Sequence, residues 1–274
     1  MGPRIEHPYG DDPSRLRNLQ ADRVFERMMH STILRLALLA CAVLACAATA
    51  IAAVQTPGTA SKSIVLGKTP SYPESGCPAA NACEVVARVT GIQMRAAGVN
   101  HPFRSPVTGQ LVAWWLKLPA MRPTQISTFN SLFGGEPAAR VVVLRRGVRG
   151  RFRLVRQSGT QSLRAHLRSS GRVRYRLAEP LRVRQGDYVG LTAVTWLPAF
   201  AVNLDAAGNA WLASRPKRRC ATPSSSRPER FKEYYRRTDA QLESSTAQEY
   251  RCNYQTARLL YWARIVPDAP AGTS

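Results

Sequence analysis

Three stretches of the chain alternate arginine with apolar residues, and this period of two constrains the fold more than any other feature. They are RRGVRGRFRLVRQ at residues 145–157, RVRYRL at 172–177 and LRVR at 181–184. Successive side chains of a β-strand point to opposite faces, so the pattern predicts antiparallel strands with one apolar face and one arginine face. The arginines expected on the outer face are Arg149, Arg151, Arg153, Arg172, Arg174 and Arg176. The side chains expected on the inner face of the first stretch include Val148, Phe152 and Leu154.

Short apolar runs separated by turn residues continue the β pattern along the chain. The strands expected from them lie at 84–96, 109–118, 139–146, 150–156, 172–177, 181–184 and 187–196, with a closing strand at 256–266. We find no long amphipathic helical pattern, which argues against an α/β enzyme with a parallel sheet. The expected fold class is therefore all-β, a two-sheet antiparallel sandwich of the jelly-roll kind.

One segment, residues 36–54, is apolar and carries no charge. If translation starts at one of the two methionines just before it, the segment has the layout of a secretory signal peptide. If translation starts at Met1, residues 1–35 form a polar tail and the segment could remain as a membrane anchor. A third alternative is a lipoprotein, because Leu38–Cys41 resembles a lipobox. All three place the rest of the chain outside the cytoplasm, either secreted or held at the membrane.

Composition divides the remaining chain. Residues 55–76 are rich in Pro, Ser, Thr and Gly and are typical of a flexible linker. Residues 77–266 are expected to form the sandwich domain, with a polar insertion at 214–253 in which a Ser-Arg-Pro-Glu sequence could open a short helix. Residues 267–274 are expected to be a disordered tail.

Four cysteines lie outside the apolar segment, and we expect them to form the disulfides Cys77–Cys83 and Cys220–Cys252. Three pairings are possible, and this one is favoured because each pair brackets a polar stretch between strand-like runs. A zinc site is the alternative, but five residues between Cys77 and Cys83 are a wide spacing, and the two remaining histidines, His101 and His166, lack ligand spacing. We therefore expect no metal and no cofactor, in an oxidising compartment.

The net charge is +22, and it comes from 34 Arg and only 5 Lys. This skew indicates codon bias in a GC-rich genome and weakens any argument for nucleic acid as a partner. Between Arg140 and Arg184, however, 14 arginines accompany a single acidic residue, Glu179. Same-face neighbours on a strand repel when their charges are alike, and a solvated face usually intersperses acids. The charge pattern leaves two interpretations open: a face that binds anionic glycans or envelope polymers, and a merely solvated basic face.

A second hypothesis comes from the tryptophans. In GQLVAWWLKL, residues 109–118, Trp114 shares the apolar side and Trp115 faces outward. An exposed tryptophan on a strand can stack on a sugar ring, so a module that binds neutral carbohydrate through Trp115 is the alternative function. Trp115 could equally lie under a loop or the C-terminal strand. Trp196 and Trp211 are weaker candidates of the same kind.

Two segments carry a family resemblance. LRVRQGDYVGL at 181–191 and SPVTGQLVAWWLKL at 105–118 resemble strands of galactose-binding-like jelly-roll modules, over about residues 84–213. With its apolar segment, the chain is similar to exported β-sandwich proteins of GC-rich bacteria. The resemblance implies a jelly roll that could bind glycans or calcium, although no acidic cluster supports calcium.

Catalytic motifs are missing from the sequence. It has no G-x-S-x-G, no H-E-x-x-H and no P-loop, and its scattered acids offer no glycosidase pair. We expect a non-catalytic protein, with a secreted hydrolase as the less favoured alternative.

Overall fold

The computed structural model describes residues 62–77, 83–221 and 228–269. They belong to the second of two compact units, Ala60–Ser274. The predicted polar tail and the apolar segment 36–54 lie outside the described residues. Within the described ranges, no helix is both long enough and apolar enough to cross a bilayer.

Strands dominate the described residues, and two α-helices accompany them. The strands are β1 (Ile64–Leu66), β2 (Val86–Ala96), β3 (Val99–Asn100), β4 (Gly109–Leu118), β5 (Ala138–Arg146), β6 (Arg151–Gln157), β7 (Gln161–Ser162), β8 (Gly171–Val183), β9 (Tyr188–Leu197), β10 (Phe200–Ala201), β11 (Ala210–Ala213), β12 (Ala247–Glu249), β13 (Cys252–Tyr254), β14 (Arg258–Leu259) and β15 (Tyr261–Pro267). The helices are α1 (Pro123–Phe133) and α2 (Pro228–Arg236).

These strands pair antiparallel in two large sheets and one short pair. The four-stranded sheet has the order β1-β15-β4-β8, and β10 pairs with β14. The nine-stranded sheet runs β12-β6-β5-β9-β2-β11-β13, with β3 beside β2 and β7 beside β5. It curls into a half-barrel. The all-β antiparallel prediction is confirmed, and the two sheets are consistent with a sandwich.

Alternation within the strands builds the core. Trp114 and Leu116 of β4 belong to the main hydrophobic cluster, and so do Val141 and Val143 of β5. The intervening Val142 enters a second, smaller cluster on the opposite face of the curled sheet. Burial of each such side chain contributes about 1.5–3 kcal/mol to the free energy of unfolding. β5 is therefore apolar on both faces, unlike the arginine-bearing strands.

The first arginine stretch begins differently from its prediction. Val148–Gly150 form a 3-10 turn, in which Arg149 has a left-handed φ of 54°. Val148, expected to face the core, is 77% exposed. The alternation starts only at β6, where Phe152 and Leu154 are buried as predicted. The two later stretches, by contrast, are parts of one continuous strand, β8.

Helix α1 was not predicted. Its local signals are a proline in its first turn and Gly134 with φ 69° at its C-terminus. The side-chain oxygen of Gln125 also accepts the backbone N–H of Arg122, 2.8 Å away. Phe133 is its one fully buried residue, so the helical apolar pattern is too weak to stand out.

Three domain boundaries need correction. Ile64–Leu66, placed in the linker, form β1 and pair with β15. Within the insertion 214–253, helix α2 is present, but β12 and β13 pair with β6 and β11 and so join the nine-stranded sheet. At the C-terminal end, Asp268 still binds Arg182, 2.6 Å away. Each boundary was drawn from polar composition, which does not exclude edge-strand pairing.

Both predicted disulfides are present. Cys77–Cys83 joins Cα atoms 4.0 Å apart, and Cys220–Cys252 joins Cα atoms 5.0 Å apart. The second disulfide links Cys220, near the start of the insertion, to Cys252 of β13, near its end. Two disulfides are in keeping with an oxidising environment outside the cytoplasm.

A buried ion pair also fastens the insertion. One carboxylate oxygen of Asp239 lies 3.1 Å from Arg215 Nε and 3.0 Å from Arg219 Nη2. The Arg215 side chain is only 5% exposed. Burial raises the pKa of the Asp239 carboxyl, although both guanidinium groups oppose this shift.

Candidate functional site

The six predicted arginines do not share one sheet. Arg151 and Arg153 lie on β6 in the nine-stranded sheet, and Arg149 lies in the preceding turn. Arg172, Arg174 and Arg176 lie on β8 in the four-stranded sheet. The expectation of one arginine-lined sheet face is therefore wrong. Period-two alternation fixes the side of a residue on its own strand, but it does not fix the sheet to which that strand belongs.

The arginines of β6 have ordinary surface partners. Arg151 lies opposite Glu249 of β12, and its Nη2 donates to the carbonyl of Ala247 at 2.7 Å. Arg153 lies opposite Arg145 of β5, whose Nε is 2.8 Å from Asp187. Glu249 and the buried Asp187 thus supply carboxylates close to the arginines of β6 and β5.

The arginines of β8 lie beside tryptophans. Arg174 is directly opposite Trp115 of β4, and Trp115 is directly opposite Trp262 of β15. Arg172 is opposite Lys117 in the next outward-facing row. The outer face of the four-stranded sheet therefore combines cations with aromatic rings.

These side chains line an open pocket with a volume of about 380 Å³, which we call the Arg–Trp groove. Its lining residues are Val65, Lys68, Tyr72, Trp115, Arg172, Arg174, Trp262 and Arg264. Its volume lies within the usual range for small-ligand pockets. Of the predicted site residues, Arg172, Arg174 and Trp115 line the groove. The other predicted arginines lie outside it: Arg149, Arg151, Arg153 and Arg176.

One wall of the groove is a cluster of three side chains, Arg172, Tyr72 and Trp262, in mutual contact. The guanidinium carbon of Arg172 lies 4.5 Å from the ring centroid of Trp262 and 5.1 Å from that of Tyr72. The Tyr72 and Trp262 centroids are 5.3 Å apart. A guanidinium that stacks through its face keeps its N–H edge available for an anion.

Trp115 forms the centre of the groove. It is half-buried, with the guanidinium carbons of Arg174 and Arg264 5.3 Å and 5.4 Å from its ring centroid. The Nε of Arg264 is buried and, in the described part of the chain, has no hydrogen-bond partner. Trp115 is thus an accessible ring between two cations and does not lie in the core.

Hydrogen bonds from the sheets and within the segment hold residues 69–73, which carry Tyr72, in place. Arg258, itself buried, donates to the carbonyl of Ser71 at 2.9 Å and to Thr69 Oγ1 at 2.7 Å. The backbone N–H of Thr69 donates to the Tyr72 hydroxyl at 3.1 Å. On the far side, Lys117 Nζ donates to the carbonyl of Pro73 at 3.1 Å. These contacts fix the aromatic wall relative to the sheet.

The groove is strongly cationic. Its described lining has four basic side chains and no carboxylate. Burial raises the pKa of Tyr72, but hydrogen bonds from Thr69 and Trp262 and the charge of Arg172 outweigh it, so this pKa lies below 10.0. The same field that favours a phenolate would favour a bound anion.

Five of the eight residues that line the groove were not predicted from the sequence. Trp262 and Arg264 are two residues apart on β15, the same spacing as Trp115 and Lys117 on β4. That spacing places each pair on one face of its strand and could have indicated them. Tyr72 had no such signal, because its segment was assigned to a linker.

Two other tryptophans belong to the core. Trp196 is fully buried, and its Nε1 donates to Asn130 Oδ1 and to the carbonyl of Gly135. Trp211 is 3% exposed. Their interpretation as exposed sugar platforms is therefore wrong. Among the described residues, no cluster of three His, Cys, Asp or Glu could hold a metal ion.

No family model, curated protein or solved structure matches this chain. The resemblance to galactose-binding-like modules therefore stays a prediction, and the geometry of the groove carries the functional argument.

Proposed function

We propose that the Arg–Trp groove binds anionic glycans or related anionic polymers of the cell envelope. The observation that carries this proposal is the stacking of three guanidinium groups, from Arg172, Arg174 and Arg264, around Trp115 and Trp262 in one concave surface. The half-buried ring of Trp115 supplies an apolar face for a sugar ring, whereas Trp262 is buried and supports Arg172. The guanidinium edges supply paired donors for carboxylate, sulfate or phosphate.

The position of the cations favours a charged sugar over a neutral one. Both guanidinium groups beside Trp115 lie within 5.4 Å of its ring centroid. A ligand that approaches this ring therefore also meets two positive charges. A neutral sugar would gain the stacking alone, whereas an anionic sugar gains charge-assisted hydrogen bonds, which are about twice as strong as neutral ones.

Compartment narrows the class of anion. The two disulfides support an oxidising location, and we propose a secreted protein or one anchored through residues 36–54, with a jelly-roll-like sandwich. Outside the cytoplasm, envelope polymers are the abundant polyanions, whereas nucleic acid is scarce. The described groove lining holds no carboxylate, histidine, serine or cysteine, so we propose binding without catalysis.

The proposal is tested by titrating the protein with polygalacturonate, a neutral β-glucan and a single-stranded oligonucleotide at 50 and 200 mM salt. We expect preferential binding of polygalacturonate, weakened about ten- to forty-fold at the higher salt because about three ion contacts release counterions. Salt-insensitive binding of the neutral glucan that is lost in Trp115→Ala would favour the neutral-carbohydrate function. Tighter binding of the oligonucleotide, or no binding at all, would contradict the proposal.

A further inference from the structure

Strand β8 is the longest edge strand that the structure describes, and it ends the four-stranded sheet. It pairs regularly with β4 over residues 171–176 and again over 181–183, and the residues between them form a bulge. The other edge of that sheet, β1, and the two ends of the nine-stranded sheet, β12 and β13, have three residues each. Proteins usually keep exposed edges short, because unpaired backbone N–H and C=O groups accept another chain.

The outer edge of β8 has free backbone groups. In the described part of the chain, β8 pairs with β4 alone, and no turn or loop bonds to its backbone. Over residues 171–180 no side chain is fully buried. Val173, Tyr175 and Leu177 alternate towards the core but are only half-buried, so the apolar side of this edge is incompletely covered.

The positive charges of the arginines on β8 limit which strands can pair with this edge. A second copy of β8 would place Arg172, Arg174 and Arg176 opposite like charges, which destabilises strand pairing. An extended segment with acidic residues at alternate positions would place opposite charges there instead. Its other side chains, if apolar, would extend the half-covered row on the inner face.

We propose that residues 171–176 of β8 accept an extended acidic strand of another polypeptide by edge-to-edge pairing. Beyond Arg176 the pairing with β4 is interrupted and resumes only at Leu181, and this bulge limits the paired region at its C-terminal end. The partner is defined by its chemistry as alternating acidic and apolar residues over about six positions. The interaction depends on backbone groups of the strand edge and does not rest on the proposed glycan binding, although Arg172 and Arg174 belong to both surfaces.

The test uses a labelled six-residue peptide that alternates Glu with Val, with fluorescence anisotropy on the full-length protein. Alternate backbone N–H groups of an added strand point towards β8 and away from it. N-methylation of the residues whose N–H groups face β8 should weaken binding at least tenfold, and N-methylation of the other set should change it less than twofold. Equal effects of both sets would overturn the proposal, because attraction between charges alone does not distinguish them.

Charge reversal provides the second arm. Arg172→Glu with Arg174→Glu should lose the Glu peptide and bind a peptide that alternates Lys with Val, while Arg151→Glu with Arg153→Glu on β6 should bind as the unmodified protein does. Circular dichroism confirms that each variant is folded. Trp115→Ala should leave peptide binding intact, so failure of the groove proposal and failure of this one are distinguishable. Loss of the Glu peptide in the β6 variant would contradict pairing at β8.

Discussion

The guanidinium group of Arg172 on β8 lies over the ring of Trp262 on β15, 4.5 Å from its centroid, although β4 separates the two strands. Arg172 thus spans the width of β4 and connects the sheet edge to its interior. Stacking of this kind contributes about 0.5–2 kcal/mol, depending on exposure. The same contact places a cation at the wall of the groove, which the proposal of anion binding requires.

The first prediction concerns the phenol of Tyr72. Burial raises its pKa, yet the hydrogen bonds and the charge of Arg172 bring it below 10.0. A lowered phenol pKa stabilises the fold above pH 10, and this contribution is lost as pH falls through the folded value. In an ultraviolet difference titration against Tyr72→Phe, Tyr72 should ionise below pH 10. Arg172→Met should move this pKa upward, and an unchanged value in that variant would contradict the assigned cause.

The second prediction concerns the buried carboxylate of the insertion. Asp239→Ala leaves the guanidinium of Arg215, with a side chain only 5% exposed, without its counter-ion. The free energy of unfolding should fall by about 3–5 kcal/mol in urea denaturation. Asp268→Ala removes the surface partner of Arg182, whose side chain is 47% exposed, and should cost at most about 1 kcal/mol. Similar losses in both variants would mean that Asp239 does not hold the insertion.

The third prediction compares the disulfides. The 32-residue separation of Cys220 and Cys252 restricts the unfolded chain more than the 6-residue separation of Cys77 and Cys83. In the loop-entropy model, double Cys→Ser variants should lose about 4 and about 2 kcal/mol of unfolding free energy, respectively. Chemical denaturation of each variant measures these losses. A larger loss for the shorter loop would mean that the Cys77–Cys83 bond stabilises the folded state directly.

Alternation along strands was predictable because side-chain direction is a local property. It located β4 at residues 109–118 and placed Trp114 inside and Trp115 outside. It failed at Val148, because a turn of three residues interrupts the period and nothing in the apolar pattern marks it. The left-handed φ of Arg149 is set by that turn and not by residue type.

The composition of the groove was less predictable, since it depends on which strands become neighbours. Trp115 and Trp262 are 147 positions apart in the numbering, yet they face each other across β4 and β15. Sheet order is decided by packing of the whole core, and a single sequence carries little local information about it. The six arginines were therefore assigned to the correct strand faces, apart from Arg149, but to one sheet instead of two.

We propose that the groove, and not the overall positive charge, binds the polyanion. Two variants with the same loss of charge test it: Arg172→Gln with Arg174→Gln in the groove, and Arg151→Gln with Arg153→Gln on β6. Polygalacturonate affinity is measured for both by isothermal titration calorimetry at 50 and 200 mM salt. We predict that the groove variant loses at least tenfold in affinity and shows a weaker salt dependence, while the β6 variant stays within about twofold of the unmodified protein. Equal losses in the two variants would contradict the claim and leave a generally basic surface as the explanation.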